Sequence, residues 1–162
     1  MHHYFDHGTA WEVRGTYYDK HGQDYNMVGA RTAVQGEQRW QVGETVVRID
    51  SEQNQERFHQ TVFLEPVTGD EVSFVFNHAE YGPLEGVLQI QDDALQFRFA
   101  SADGVYSGME MLFRVNEYTY DATAVLFKNG KRLCAWESTL LDINRPPKEP
   151  ESVAEAQKKQ QQ

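Results

Sequence analysis

The sequence predicts an all-β fold, an antiparallel meander of about ten strands that closes into a barrel. Three observations support this prediction. Short segments rich in β-branched and aromatic residues alternate with turn signals along the chain, glycines recur at a regular spacing near its start, and no segment of residues 1–143 has helical periodicity. Many short strands joined by tight hairpins are typical of a meandering barrel or a sandwich.

Length and composition indicate one domain with a polar extension. The chain has 162 residues, of which 40% are hydrophobic, enough to bury a sizeable core. We predict a β-barrel domain over residues 1–143 and a Pro-rich linker and polar tail over residues 144–162. In the tail, Ser152 followed by Glu155 fits a capping box, so Ser152–Lys159 is the candidate for a short helix.

Charge and cysteine content exclude several classes of function. Asp and Glu outnumber Lys and Arg by 25 to 15, and this net charge of −10 argues against nucleic acid and anionic membrane surfaces as partners. No apolar run approaches the roughly 18 residues of a membrane span, so no membrane insertion is expected. The single cysteine, Cys134, excludes an internal disulfide and a cysteine-rich zinc cluster. Residues 1–7 do not resemble a secretory signal, so we expect a cytoplasmic protein. We expect it to be a monomer or a homodimer.

Turn signals divide the domain into strands. The strongest is Asn129-Gly130, because a type I′ hairpin turn needs positive φ at both central residues. The predicted strands are, in order, Trp11–Tyr18, Tyr25–Val34, Arg39–Asp50, Arg57–Val67, Val72–Asn77, Glu85–Gln91, Ala94–Ala100, Tyr106–Asn116, Tyr118–Phe127 and Lys131–Asp142.

The early glycines predict a bend in the sheet. They recur every seventh residue, at positions 8, 15, 22, 29, 36 and 43. Hairpins centred on Gly22 and Gly36 would place Gly15, Gly29 and Gly43 opposite one another in three neighbouring strands. Such a column would let the sheet curl at a barrel corner. Chance spacing is the alternative.

The register of the last five strands predicts one apolar interior face. We place two-residue turns at Asp92-Asp93, Asn116-Glu117 and Asn129-Gly130, and a three-residue turn around Asp103. The predicted interior then holds Leu88, Ile90, Leu95, Phe97, Phe99, Met109, Met111, Phe113, Val115, Tyr118, Tyr120, Ala122, Ala124, Leu126, Leu133, Ala135, Thr139 and Leu141. The opposite face holds Gln89, Gln91, Gln96, Arg98, Glu110 and Arg114.

Glu137 is the charged exception on this predicted interior face. Small alanines and Tyr120 would surround it, and space beside one charged group is typical of a ligand pocket. Alternatively, Glu137 lies near a rim or pairs with an interior arginine, since a buried carboxylate needs a partner.

Among the first three strands, the apolar residues of the first strand and those of the third strand indicate opposite faces of the sheet as the interior. A bulge near the glycine column would reconcile them. If the face of the first strand is interior, Arg31 points inward near Tyr17 and can pair with Glu137 or a ligand carboxylate.

An early Trp-x-x-x-Gly-x-Tyr segment, Trp11 to Tyr17, opens the meander and resembles the calycin group. This group contains the lipocalins, the fatty-acid-binding proteins and many lipocalin-like bacterial domains. Gly8 lies three residues before Trp11, rather than two as in lipocalins. The later threonine-aspartate-tyrosine signature of lipocalins is not evident, since Glu117-Tyr118-Thr119-Tyr120-Asp121 has the residue types in another order. The resemblance implies a cavity for a small apolar molecule.

The first functional hypothesis is therefore a small-molecule-binding barrel that holds a largely apolar ligand. Its candidate ligand-binding residues are Tyr17, Arg31, His59, Phe97, Phe113, Tyr118, Tyr120 and Glu137. No cofactor or metal is expected. One alternative is a cofactor-independent barrel enzyme, such as a cyclase, isomerase or lyase, with an interior carboxylate or histidine. Another is a structural or interaction module with a filled interior.

Other reactive side chains carry weaker hypotheses. His59 and His78 lie on or beside strands, where either could act as a general base at neutral pH. Cys134 is expected to face away from the interior, which disfavours a nucleophile. Met109 and Met111 are expected as core residues. A metal site at the chain start would use His2, His3, Asp6 and His7.

Overall fold

The computed structural model describes residues 4–5 and 8–147, and over these residues the protein is a closed antiparallel barrel of ten strands. Each strand pairs with the next, and β1 pairs with β10 to close the barrel, which confirms the predicted fold class. The strands are β1 (Thr9–Tyr18), β2 (Asp24–Val34), β3 (Trp40–Ile49), β4 (Gln55–Leu64), β5 (Glu71–His78), β6 (Gly82–Ile90), β7 (Ala94–Ala100), β8 (Tyr106–Asn116), β9 (Thr119–Lys128) and β10 (Lys131–Asp142).

Two predicted features lie outside the described residues, the helix Ser152–Lys159 and the cluster His2, His3, Asp6 and His7. The last strand ends at Asp142, and the division of the chain at residue 143 remains a prediction. Over the described ranges, no helix has the length and apolar character needed to cross a membrane.

The registers of β1–β3 resolve the conflict between their faces. Val34 pairs with Gln41, so each odd-numbered residue of β2 lies opposite an even-numbered residue of β3. Trp11 and Arg31 therefore share the interior with Val42, and all three are buried. The pairing runs through these strands without a register shift, so the predicted bulge was wrong.

The predicted column of three glycines is also wrong. Gly15 pairs with Met27, Gly29 lies between Val13 and Val46, and Gly43 pairs with Thr32. The hairpins are not centred on these glycines, since the β1–β2 pairing is centred on His21 and the β2–β3 pairing between Glu37 and Gln38. Gly22 lies one residue past the centre of its loop and has a φ of 78°, which glycine adopts without strain.

Glycines nevertheless let neighbouring strands approach closely at separate points around the barrel. A Cβ at Gly15 would lie 2.0 Å from the carbonyl oxygen of Glu137, and one at Gly29 would lie 2.2 Å from that of Thr45. Gly86 allows a similar close approach between β6 and β7, where an added Cβ would lie 1.9 Å from the carbonyl oxygen of Arg98. The bending is therefore spread around the barrel and is not confined to one corner.

In the C-terminal half, two hairpins form as predicted and three registers differ from the prediction by one residue. Ile90 pairs with Leu95 across Asp92-Asp93, and Lys128 pairs with Lys131 across Asn129-Gly130. A bulge between Arg132 and Cys134 then shifts β10 by one residue. The β7–β8 pairing is likewise one residue from the prediction, with Phe97 opposite Glu110. The predicted turn at Asn116-Glu117 was wrong, since Asn116 pairs with Thr119 across Glu117-Tyr118 and the register shifts between Arg114 and Asn116, which returns β9 to its predicted face.

A shift of one residue exchanges the two faces of a strand. Glu110 and Leu112 of β8 and Cys134, Ser138 and Leu140 of β10 are consequently buried. Phe113 and Glu137 lie on the outer face, which corrects their predicted inward orientation. In β9, Tyr120, Ala122, Ala124 and Leu126 are buried as predicted.

Aromatic residues close one end of the barrel. Tyr4 is fully buried and stacks on Trp11, with ring centroids 5.7 Å apart, while its edge meets Tyr120. Phe5 packs on Trp40 with ring centroids 5.5 Å apart. The β1–β2, β3–β4 and β5–β6 hairpins form the opposite end, which we call the hairpin end.

The barrel wall is weakest between β4 and β5. Only Val62, Phe63 and Leu64 of β4 pair with β5, opposite Phe76, Val75 and Phe74. The preceding part of β4 pairs with β3 on one side and does not pair with β5 on the other. A side opening therefore adjoins the hairpin end of the barrel.

We predict that Gly29→Ala lowers the free energy of unfolding by about 1–3 kcal/mol, because the new Cβ would overlap the backbone of β3. Urea denaturation monitored by circular dichroism would measure the change. Gly69→Ala is the matched control, since a Cβ there would meet nothing within 4 Å. Equal stability of the two variants would contradict the close approach at Gly29.

Candidate functional site

A cavity of about 340 Å³ lies inside the barrel and extends to its hairpin end. Its walls are mainly apolar and aromatic side chains projecting inward from strands on all sides. These include Met27, Val42, Val46, Phe74, Phe76, Leu84, Phe97, Phe99 and Leu126. Inward-facing positions of alternating strands supply this lining.

At the deep end of the cavity, a buried arginine bridges two carboxylates. Arg31 Nη1 and Nη2 donate to the two oxygens of Glu110, at 2.7 and 3.0 Å, in a bidentate pair that crosses the barrel from β2 to β8. Arg31 Nε also donates to Glu44 Oε2 at 2.6 Å, from β2 to the adjacent β3. Bidentate arginine–carboxylate pairs are among the stronger hydrogen-bonded contacts in proteins.

Further side chains hold Glu110 in place. Trp136 Nε1 donates to Glu110 Oε2 at 3.1 Å, and Ala124 lies between these two residues in the sheet. Tyr4, from the aromatic plug, lies with its hydroxyl oxygen 3.4 Å from Arg31 Nη1. The floor of the cavity is thus a connected polar network.

Electrostatics in this network follow from burial and from the excess of carboxylates. Burial raises the pKa of Glu44, and Glu110 adds to this rise while Arg31 opposes it. Burial alone would lower the pKa of Arg31, but Glu110 and Glu44 outweigh it and hold the value well above normal. Burial raises the pKa of Tyr4 to about 12, so its hydroxyl stays protonated at neutral pH.

At the hairpin end, a second arginine lines the cavity between two aromatic rings. Arg48 Cζ lies 3.6 Å from the ring centroid of Tyr17 and 3.4 Å from that of Phe58. Nearby, His78 stacks on Tyr81 with centroids 4.3 Å apart, and Tyr81 packs on Tyr106. The entrance is therefore aromatic and carries a positive charge.

The pKa values of two titratable groups at this end are shifted in the direction that favours their neutral forms. Burial lowers the pKa of His78, with a further decrease from Arg48, while Glu80 opposes both. The ring nitrogen Nδ1 of His78 accepts from the backbone N–H groups of Glu80 and Tyr81, at 3.1 and 3.3 Å. Cys134 faces the cavity, contrary to the expected outward orientation, and burial raises the pKa of its thiol.

The structure brings four of the predicted site residues to the cavity: Tyr17, Arg31, His59 and Phe97. His59 belongs to the side opening, and its Nδ1 lies 2.9 Å from Thr45 Oγ1. The buried partner of Arg31 is Glu110, not Glu137.

The other four lie elsewhere. Tyr120 is buried in the closed end, and Tyr118 lies at the β8–β9 turn. Phe113 and Glu137 are on the outer surface, where Tyr18 Oη donates to Glu137 Oε1 at 2.8 Å.

Sequence reasoning missed Glu44, Glu110, Arg48 and Trp136. The correct β2–β3 register would have identified Glu44, because it lies directly opposite Arg31. It would also have placed Arg48 inside, opposite Met27. Glu110 carried no local signal, since it alternates with Met109 and Met111 and only the β7–β8 register decides which face is interior.

A metal-binding cluster is not evident in the described part of the chain, where no three His, Cys, Asp or Glu side chains gather in a suitable arrangement.

Neither a family model nor a curated protein matches this chain. Among solved structures, it is similar to the S-type phycobiliprotein lyase CPES from Guillardia theta, with a TM-score of 0.59 and 9% identity over 85% of this chain and 88% of that one. At this identity the similarity shows the fold alone.

Two further solved structures align more distantly. An AttH-like protein from Nitrosomonas europaea has a TM-score of 0.30 and 8% identity over 91% of this chain and 55% of that one. An N-terminal dehydratase from the difficidin assembly line has a TM-score of 0.25 and 10% identity over 90% and 80%.

We predict that Arg31→Met lowers the free energy of unfolding by about 3–5 kcal/mol, because it leaves Glu44 and Glu110 buried without their cation. Urea denaturation at neutral pH would measure the loss. Arg98→Met is the control, since Arg98 is exposed on the outside of β7 and should change stability by less than about 0.5 kcal/mol. A loss at Arg31 as small as that at Arg98 would contradict a structural role for the network.

Proposed function

We propose that this protein binds a small, largely apolar molecule inside its barrel. The observation that carries the proposal is the interior cavity of about 340 Å³, which lies within the volume range of small-molecule sites. A filled interior, as expected for a purely structural module, would leave no such space.

The lining supports this ligand class. Apolar and aromatic side chains form the walls, and charged groups are concentrated at the two ends, around Arg31 and around Arg48. Binding sites commonly combine apolar walls with a few placed polar groups that orient the ligand. A ligand with an apolar middle and polar ends matches this distribution.

The barrel also provides an entry route. Pairing between β4 and β5 is limited to three residue pairs, and the unpaired part of β4 lines the cavity through Arg57, Phe58, His59 and Gln60. A ligand can enter at this side opening without breaking the remaining pairings. The similar barrel of a phycobiliprotein lyase shows that this fold occurs in an enzyme, which is compatible with a site inside it.

We predict that Val46→Trp weakens binding of the neutral probe N-phenyl-1-naphthylamine by at least about tenfold, because the indole would occupy the cavity. Fluorescence titration of the purified protein would measure the affinity. Val75→Trp is the matched control, since Val75 is 52% exposed on the outer face of β5. No probe binding by the wild-type protein, or equal binding by both variants, would contradict an interior site.

A second candidate function, a cofactor-independent enzyme, is favoured by Glu44. This carboxyl group lines the cavity, and its raised pKa suits a group that exchanges protons. In the described residues, its contacts with Arg31 involve Oε2 alone, which leaves Oε1 for a ligand. An isomerisation would need only that Glu44 remove a proton from one ligand atom and return it to another.

Mass spectrometry of the molecule that co-purifies with the protein would distinguish binding from catalysis. If Glu44 is catalytic, Glu44→Gln should retain an isomer that differs in chromatographic retention from the molecule bound by the wild type. Glu80→Gln is the control, because Glu80 also lines the cavity but is exposed at its entrance. The same molecule in all three proteins would exclude this catalytic role and leave the binding function.

A further inference from the structure

Arg48 differs from the buried Arg31 in the groups that surround its charge. The rings of Tyr17 and Phe58 cover both faces of its guanidinium, with centroid distances of 3.6 and 3.4 Å. A guanidinium stacks well on aromatic rings because it is planar and weakly hydrated. This sandwich fixes the plane of the group and leaves its N–H edges for hydrogen bonding.

No carboxylate within residues 4–5 and 8–147 forms a salt bridge with those edges. Glu56 is the cross-strand neighbour of Arg48 on β4, but it is exposed and makes no ion pair with it. Arg31, by contrast, is satisfied by two carboxylates. In a chain with a net charge of −10, an oriented interior cation without a protein carboxylate is unusual.

The surroundings of Arg48 indicate what it can hold. It lines the cavity together with Arg57, while Glu80 is the acidic group at this end. Met27 lies opposite Arg48 on β2, and the His78–Tyr81 stack adjoins the entrance. An oxyanion attached to an apolar body would therefore meet a cation and apolar surface together. The planar N–H edges of arginine match a carboxylate or a phosphate in two-point contact.

We propose that the cavity binds an amphiphile carrying one oxyanion, with that group on the N–H edges of Arg48 at the hairpin end and the apolar body directed inward. This inference rests on the proposed binding function and names the class of its ligand. It also assigns the orientation, because the deep end already holds two carboxylates, Glu44 and Glu110, against the single cation Arg31, and this excess of negative charge disfavours a further anion.

A pair of fluorescent probes tests the anchor. 1-Anilinonaphthalene-8-sulfonate and N-phenyl-1-naphthylamine share one aromatic body, and only the first carries an oxyanion. We expect the wild type to bind the sulfonate more tightly. Arg48→Met should weaken sulfonate binding by at least about tenfold and change binding of the neutral probe by less than about twofold. The preference for the sulfonate should also decrease with added salt in the wild type.

Two variants make the test specific. Arg98→Met removes an exposed arginine from the outside of β7 and should leave both affinities unchanged. Arg48→Lys retains the charge without the planar edges and should bind the sulfonate with intermediate affinity. Binding of the neutral probe shows whether the cavity is intact in each variant. If Arg48→Met does not fold, the loss of sulfonate affinity in Arg48→Lys tests the proposal instead.

The outcomes separate this inference from the proposed function. If neither probe binds the wild type, the binding function fails. If the neutral probe binds while Arg48→Met leaves sulfonate binding unchanged, only the anchor fails.

Competition by dodecanoate, dodecyl phosphate and dodecanol identifies the head group. If either anion displaces the probe more strongly than dodecanol does, the result supports Arg48 as the binding group for an oxyanion. The anion that displaces the probe more strongly then identifies the oxyanion as a carboxylate or a phosphate. Equal displacement by all three overturns the anchor.

Discussion

The interior of this barrel depends on the pairing of Arg31 with Glu110. The two residues lie on β2 and β8, so their bidentate contact spans the barrel and links strands that share no backbone hydrogen bonds. A buried charge is tolerated only when it is paired and hydrogen-bonded, and here Glu44, Trp136 and Tyr4 complete the arrangement. The network forms a polar floor between the aromatic plug and the cavity.

This floor divides the barrel into two unlike halves. On one side, Tyr4, Trp11 and Tyr120 pack against each other and are fully buried. On the other, the cavity is lined by side chains that do not meet at the barrel axis. Gly108 contributes to the wall behind this space, because the ring of Phe99 packs where a Cβ at Gly108 would lie. The closed half supplies stability, and the open half is available for a ligand.

Much of the fold followed from local patterns. Turn residues and alternating apolar positions located all ten strands to within a few residues, because hairpin turns require particular backbone conformations. Asn129 and Gly130 have the positive φ values, 50° and 76°, that their sequence predicts. The candidate site was less predictable. Arg31 was expected inside, but Glu137 was chosen as its partner and lies outside, while Glu110 was assigned to the outer face and lies inside.

By itself, the sequence determined the fold class and the number of strands, since these depend on local propensity and alternation. Only the tertiary structure decided which carboxylates share the interior with Arg31 and which arginine faces the entrance. The physical reason is parity: in a β-strand, one inserted residue exchanges the two faces. The bulge after Arg132 and the β7–β8 register each make such an exchange, and neither has a clear local signal. The chemistry of the cavity therefore depends on register, which long-range pairing around the closed barrel sets.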